Sequence, residues 1–471
     1  MKKINLFICT LIFSFSFSEK SFSNEVLTVD ELVKSSIKNY PIIFAQYDRI
    51  AAAKAELIAS KGAFDINLNQ KYKDNTRGYY DGKSYDAEFE KYLGPFNSTI
   101  YGGYRKSYGN FPDYEGYYDT GSSGELRGGI KFSLLKDRDI DSRRLSVILS
   151  NLTIEEAEIE LERIKLQIAR DATQAYWNWV SSGNVLKIYD NLYQISLTRQ
   201  KQLEVKSKKG DIARIIVVEN QKNLLKRKSA LLKMRREFES SSIYLALFWR
   251  DNNGKTIKPD IENLPALESK SLDMSKFKQL AIDEEQILLQ RPEIRMINVE
   301  LQKQENELKY AKNLLNPELD VEFGASKDQG SANQEIGQSR NFINLNFSVP
   351  LQQREAKGKI SAAKSKLSAI KNKKSLLQDQ IKQEVAQVKL KIFNVKEIYE
   401  LLEQEVEMSK TLQKAELEKF NHGASNFFLV NMREQDLALS KAARIEAFKD
   451  FKNFIADYNL AIFNYDEIKN Y

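Results

Sequence analysis

Few residues in this chain of 471 are suited to acid–base, nucleophilic or metal chemistry. It contains one histidine, His422, and one cysteine, Cys9. Zinc sites and Cys–His catalysis need several such side chains together. The sequence also has no phosphate-binding glycine loop and no nucleophile elbow. Carboxylates are abundant, but nothing pairs them in a pocket. We therefore expect no catalytic residues, no cofactor and no metal, and we expect His422 to be an exposed residue of a turn.

Two glycines interrupt long segments that suit helices. The eight prolines leave residues 113–258 and 351–471 without proline, and proline breaks helix interiors. Gly423 follows His422 inside the second segment, and Gly210 has the same setting in the first. A glycine after a long periodic run is typical of a helix end in the left-handed conformation. The sequence thus predicts two helical hairpins that turn at these glycines.

The two halves of the chain repeat the same elements in the same order. Aligning Pro41 with Pro292 runs without a gap and places Leu68 on Leu319. Internal repetition on this scale determines a fold more strongly than local propensity does. The predicted division is a signal peptide at 1–23, a first structural repeat at 24–250, a linker at 251–272 and a second repeat at 273–471.

Apolar and polar residues alternate in several segments, which predicts strands with one apolar face. The four clearest strand segments are 64–72, 130–134, 319–325 and 343–349. Two further candidates lie within 83–108, the second weaker than the first. The surrounding segment, 78–118, is rich in tyrosine, which suits either strands at a membrane interface or a surface loop.

Heptad spacing predicts a coiled-coil seam in the last third of the chain. Its seam positions, with one shift of register, are Ile360, Ala363, Leu367, Ile370, Lys374, Leu377 and Ile381, followed by Val385, Val388, Ile392, Val395, Tyr399, Leu402 and Val406.

The helices that we expect cover about 28–61, 137–208, 211–248, 273–314, 351–420 and 424–464. At 1.5 Å per residue the two longest reach about 105 Å, so the glycine turns lie far from the strands.

Charge and hydropathy restrict the class of protein further. The net charge is +7, but lysine and glutamate are interspersed, as on solvated helix faces, and we expect no nucleic-acid partner. Residues 1–23 resemble a secretory signal peptide cleaved after Ser23 or Ser18, with Cys9 in its apolar run. No later stretch has 18 consecutive apolar residues, so any membrane span must consist of strands.

One chain supplies too few strands to close a barrel, and an open sheet edge is not tolerated in lipid. Several copies in closed symmetry solve both problems. The alternative is a secreted coiled-coil structural or adhesive protein without a channel. That alternative explains the heptads but leaves the strand segments between matched helices unexplained.

This plan resembles the TolC-like outer-membrane efflux protein family. The resemblance covers nearly the whole chain and rests on the "P…EL…AK…P.L" pattern at 292–319 with its echo at 41–68, on "FSVPLQQREAKGKISAAKSKL", on "AYWNWV", and on Gly210 with Gln221 and Gly423 with Gln435. It implies an α+β membrane protein in which repeated helical hairpins form a periplasmic α-barrel, joined to an outer-membrane β-barrel shared between protomers. It further implies a homotrimer with four strands per chain, embedded in outer-membrane lipid of a Gram-negative bacterium. It implies an exit duct for efflux or type I secretion that works with a periplasmic membrane-fusion adaptor and an inner-membrane transporter.

The resemblance also suggests functional positions. Adaptor docking at the helix turns implicates Lys209, Gly210, Asp211, Ile212, Ala213, His422, Gly423, Ala424 and Ser425. Family members carry an aspartate six residues after each turn glycine, whereas this chain has Ile216 and Leu429 there, with Glu219 and Asn431 as the nearest polar residues. We expect an apolar periplasmic aperture as a result. The two additional strand candidates either enlarge the barrel or form an extracellular hairpin, and the cargo stays open.

Overall fold

The fold is described from a computed structural model of the chain, which covers residues 26–111, 119–267, 272, 284–331 and 339–464. The predicted signal peptide and residues 273–283 of a predicted helix lie outside these ranges. The helices are α1 Val29–Asn39, α2 Pro41–Lys61, α3 Ser142–Lys208, α4 Arg214–Leu245, α5 Glu284–Gln290, α6 Pro292–Asn313, α7 Arg354–Asn421 and α8 Phe427–Ala461. The strands are β1 Ile66–Asp74, β2 Gly82–Tyr92, β3 Thr99–Gly109, β4 Glu125–Ser133, β5 Glu318–Asp328 and β6 Ser339–Ser348.

Prolines set the starts of two equivalent helices. Pro41 is the first residue of α2 and Pro292 the first of α6, where a missing N–H leaves no helical bond unmade. The expectation of one helix over 28–61 is wrong, because the helix breaks at Tyr40. A residue before proline is pushed out of the helical region, and Tyr40 is extended, with ψ of 126°. The helices around Arg291 break in the same way.

The two long helices are confirmed, and the predicted seam positions face the interior of the helical layer. Helix α3 has 67 residues and α7 has 68, which gives each a length of about 100 Å. Every predicted seam position of α7 is buried or half-buried. Ile392 is 0% exposed and Ile381 is 2% exposed, and both pack against Phe451 or its neighbours in a core shared by α5, α6, α7 and α8. The seam is therefore the surface on which the second helical half assembles.

Helix α3 is the centre of the helical layer. It packs on α1, α2 and α4 of its own half of the chain and on α6 and α8 of the other half. Gln46 of α2 donates to the carbonyl of Ala157 at 2.8 Å, and Arg170 of α3 pairs with Asp457 of α8 at 2.7 Å. Trp179, which is 0% exposed, lies in the second core, formed mainly by α1, α3 and α4. The two sequence repeats therefore share one continuous layer.

The strands form one antiparallel sheet in the order β1-β2-β3-β4-β5-β6. Both additional strand candidates are real strands, and β3 pairs with β4 over seven residues. The resemblance implies four strands per chain, and this number is wrong for the protein, which has six strands within the described residues. The reason lies in the sequence, because 82–109 supplies two further alternating segments as long as the others. The sheet is open, with β1 and β6 as its edges.

The register gives the sheet one apolar and one polar face. The apolar face carries side chains that are 44% to 70% exposed in a single chain: Ile66, Leu68, Phe89, Ile100, Leu126, Phe323, Ile343, Leu345 and Phe347. The opposite face carries Asn67, Asn69, Lys71, Asp86, Glu88, Arg105, Arg127, Glu322, Asn344 and Asn346. No helix packs on the apolar face among the described residues.

The seam of α7 provides a test of the helical core. Ile392→Ala removes a fully buried side chain, and such substitutions cost about 2–5 kcal/mol because a cavity remains. We expect a lower midpoint of thermal unfolding, followed by circular dichroism in detergent. The matched control is Lys371→Ala on the same helix, whose side chain is exposed. Equal midpoints for the two variants would contradict the assignment of Ile392 to the core.

Candidate functional site

Both glycine turns have the same hydrogen-bonding geometry. Gly210 has a φ of +82° and Gly423 a φ of +77°, values that glycine adopts without strain. The Gly210 N–H donates to Ser207 at 3.1 Å and the next N–H donates to Lys206 at 3.0 Å. The second turn repeats both bonds, to Phe420 at 3.1 Å and to Lys419 at 2.8 Å. These are Schellman motifs, which end a helix and reverse the chain, as the sequence predicts.

The residues of both turns face solvent. Lys209, Gly210, Asp211, Ala213, His422, Gly423 and Ala424 are exposed, and Ile212 and Ser425 are half-buried. An added Cβ at either glycine meets no atom within 4 Å, so the glycines are needed for their backbone conformation and not for space. Exposed apolar side chains lie close by, with Ile215 69% exposed and Phe428 61% exposed. Each tip therefore presents backbone and apolar groups together.

Contacts between the hairpins place both turns at the same end of the helical layer. The Arg199 guanidinium of α3 lies 5.6 Å from the ring centroid of Phe427, the first residue of α8. Phe427 in turn lies 6.4 Å from the ring of Phe420 at the end of α7. The α7–α8 turn is thus level with the last turns of α3, which leads into Gly210.

A buried ionic cluster joins the three helices just behind these turns. Glu434 of α8, whose side chain is 3% exposed, accepts from Arg227 of α4 at 3.1 Å and from Arg199 of α3 at 2.9 Å. Arg227 also donates to the Ser196 hydroxyl at 2.6 Å. Burial lowers the pKa of the Arg227 guanidinium, and the nearby Glu434 carboxylate opposes that shift. A guanidinium keeps its charge under such conditions, so Glu434 is the group that balances it.

The four predicted aperture residues have different surroundings. Ile216 and Leu429 are half-buried and Glu219 is exposed. Asn431 is 7% exposed, and its side-chain oxygen accepts from Arg199 at 3.3 Å and from Arg227 at 3.4 Å. Asn431 therefore belongs to the ionic cluster and does not present a free amide to solvent. The start of α8 positions Leu429, since the Asn426 side chain caps this helix by accepting from the Leu429 N–H at 3.0 Å. Ile216 and Glu219 lie in the first two turns of α4.

Sequence reasoning missed the ionic cluster. Its members come from three helices, with Arg227 and Glu434 separated by 207 residues. Each lies in a segment where charged residues are frequent, so no local pattern separates a buried arginine from a solvated one. The only available signal was that Arg227 lies on the face of α4 that also carries buried Asn220 and Leu231.

Among the residues that the structure describes, no helix is both long enough and apolar enough to cross a membrane.

Comparisons with known proteins find similarity at the level of structure. No protein-family model matches the sequence, and no curated protein matches it either. The open state of the Neisseria gonorrhoeae MtrE outer-membrane channel is 13% identical, with 92% of this chain and 88% of that chain aligned at a TM-score of 0.67. The Campylobacter jejuni CmeC outer-membrane channel is 15% identical, with 98% and 94% aligned at 0.65. The Vibrio cholerae outer-membrane protein VceC is 13% identical, with 92% and 95% aligned at 0.63.

The chain has the fold of the TolC-like outer-membrane channels. These alignments extend over nearly the whole chain, so the TolC-like fold includes both the helical layer and the sheet. The solved structures that share this fold are themselves described as channels.

The ionic cluster can be tested by removing its carboxylate. Glu434→Ala leaves Arg199 and Arg227 without a carboxylate to balance their charge in a largely buried site, and breaking a buried ion pair in this way typically costs about 3–5 kcal/mol. We expect a lower unfolding midpoint and faster proteolysis near the turns at 209–213 and 422–425. The matched control is Glu405→Ala, because Glu405 is exposed on α7. If both variants resist protease like the unmodified chain, the cluster does not hold the tips.

Proposed function

We propose that the protein is an outer-membrane exit duct of a tripartite efflux or type I secretion system. The observation that carries this proposal is the pairing of an open sheet having one exposed apolar face with helices about 100 Å long. The sheet suits the outer membrane and the helices suit the periplasm. The duct passes cargo that an inner-membrane transporter and a periplasmic adaptor deliver.

The open sheet supports a shared barrel. Edge strands expose unpaired N–H and C=O groups, which lipid cannot satisfy. A single sheet of six strands is too small to close around a lumen, so copies must complete it. We propose the homotrimer of the TolC-like channels, with the polar face turned to the lumen and the apolar face to lipid.

The turns support adaptor docking at the tips. Residues 209–213 and 422–425 lie at the end of the helices farthest from the sheet, and most of them are exposed. Lys206, Lys208 and Lys209 make the first tip basic, and Ile215 and Phe428 add apolar surface. A partner that caps these tips buries apolar groups and bonds to exposed turn backbone, which is the mode that we propose for the adaptor.

The mass of the extracted protein tests this function against the coiled-coil scaffold. We expect the chain in outer-membrane fractions, resistant to high salt and urea and released by detergent. Light scattering corrected for detergent should then give three copies of the chain. A monomer or dimer that washes off without detergent would support the secreted scaffold and would contradict the duct.

The aperture is proposed to be apolar, closed by dewetting instead of charge. Ile216 and Leu429 are the positions concerned, with Glu219 nearby. Leu429→Asp in three copies introduces a ring of carboxylates, so we expect block of the single-channel conductance by divalent cations. The matched control is Phe428→Asp, because Phe428 lies one residue away and points about 100° around α8. Unchanged conductance and cation block in Leu429→Asp, or equal block in both variants, would contradict this placement.

A further inference from the structure

We propose that three copies close a barrel of eighteen strands, six from each chain, whose lumen is wide enough for polypeptide cargo. This inference rests on the proposed function and adds the size of the pore. The alternative is a barrel of twelve strands with the β2–β3 hairpin outside the wall, as an extracellular decoration. The lengths, pairing, faces and directions of the strands in this chain favour the larger barrel.

All six strands have the length of a membrane span. Strands β1 and β4 have 9 residues, β6 has 10, and β2, β3 and β5 have 11. A tilted strand needs about 9–11 residues to cross the hydrocarbon core. Strand β2 pairs with β1 over nine residues and with β3 over eleven. The additional strands thus run the full height of the sheet.

The turn between β2 and β3 lies at the end of the sheet next to the helices. Within 93–98, the Asn97 side chain donates to the Ser133 hydroxyl at 2.9 Å, and Ser133 ends β4. The ring of Tyr92 packs against that of Phe64, which lies just after α2. The Arg143 guanidinium of α3 lies 3.8 Å from the centroid of the Tyr92 ring. A β2–β3 hairpin on the extracellular side could not make these contacts at the helical end of the sheet. The turn is short, as barrel turns on the periplasmic side are.

The apolar face continues across the additional strands. Phe89 of β2 lies opposite Leu68 of β1, and Ile100 of β3 lies opposite Ile130 of β4. Phe89 is 56% exposed and Ile100 is 48% exposed. Near the far end, Tyr72, Tyr85, Tyr104 and Tyr108 lie on the same face. An apolar band bordered by aromatic residues is typical of a barrel wall in contact with lipid.

The polar face joins the additional strands to their neighbours. Asp86 of β2 pairs with Arg105 of β3 at 3.1 Å and with Arg127 of β4 at 2.9 Å, and Arg127 also pairs with Glu88 at 2.7 Å. Arg105 is only 8% exposed. These ion pairs lie on the polar face and tie β2 to β4, which an independent hairpin does not need.

A second link crosses from β3 to β5. The Tyr101 hydroxyl donates to the Glu322 carboxylate at 2.5 Å. To do so the ring passes over Gly129 of β4, where a Cβ would lie 2.7 Å from the hydroxyl. Glycine at 129 therefore allows the crossing.

The strand directions allow the edges to close. Strand β1 runs away from the helices, and β6 returns toward them, because the sheet alternates direction from β1 to β6. Edge β1 of one copy and edge β6 of the next are then antiparallel, as in closed barrels of even strand number. The occupant of each free edge is a second copy of this chain.

Strand number sets the width of the lumen. With strands about 4.7 Å apart and tilted about 40°, eighteen strands give a backbone diameter of about 35 Å and twelve give about 24 Å. Side chains leave a lumen of about 25 Å in the first case and about 14 Å in the second. The wider lumen takes two α-helices side by side, each about 10–12 Å across. This barrel therefore fits polypeptide cargo.

Electron cryomicroscopy of the detergent-extracted protein in nanodiscs counts the strands directly. We expect a trimer with eighteen strands in the wall and β2 between β1 and β3. A trimer with twelve strands and residues 82–109 outside the wall would overturn this inference and leave the proposed function standing. Particles that are not trimers would overturn the proposed function and, with it, the barrel of eighteen.

Polymer exclusion tests the width independently. Polyethylene glycol about 20 Å across, added only on the extracellular side, should enter the barrel and lower the single-channel conductance. A variant lacking residues 82–109, in which β1 can pair with β4, should exclude that polymer. Exclusion by the unmodified protein would overturn the inference. If the variant fails to assemble, the effect of the polymer on the conductance of the unmodified protein and the number of strands counted by microscopy still test the barrel of eighteen strands.

Discussion

The architecture depends on one constraint, which is that backbone hydrogen-bonding groups must be satisfied where no water can reach them. The sheet satisfies its own groups between β1 and β6 but leaves a row unpaired along each edge. Its exposed side chains on one face, such as Phe347 and Leu345 at 64% and 70%, are unfavourable in water. Lipid makes the exposed apolar face favourable, but it makes the unpaired backbone groups at the edges more costly. The closure through further copies that we propose answers both problems, because it pairs the free edges and leaves the apolar face to lipid.

The helical layer supports the strands through its two long members. Helix α3 leaves β4 and α7 leaves β6, and each carries buried residues along most of its length. Because α3 also contacts helices of the second repeat, the two halves hold each other in register. The exposed Gly210 and Gly423 lie where this packing ends, and the cluster around Glu434, together with buried Leu203 and Phe427, lies just behind them. Stability therefore reaches almost to the tips while the turns themselves stay accessible.

The sequence predicts the parts of this structure that repeat locally. Proline positions, heptad spacing and glycine turns correctly indicate α2, α6, the seam of α7 and both Schellman motifs, because each follows from backbone or side-chain geometry within one element. The break at Tyr40 was missed, although Pro41 is its cause. The strands β2 and β3 were visible as alternation, but their place in the sheet depends on pairing with β1 and β4, which no local pattern encodes. The cluster around Glu434 was hidden for the same reason.

Six strands per chain also fit the width of the helical layer. Each protomer presents four helix positions side by side. Helices α2 and α4 share the first position, α3 takes the second, α6 and α8 share the third, and α7 takes the fourth. Three copies give twelve positions, and at about 10 Å between axes they enclose a ring about 38 Å across. Eighteen strands give a barrel of about 35 Å, whereas twelve give about 24 Å. In the trimer that we propose, six strands per chain let the wall pass from helices to sheet without narrowing, with β1 continuing from α2 and α3 from β4. The hairpin at 82–109 would thus match the proposed barrel to the helices below it.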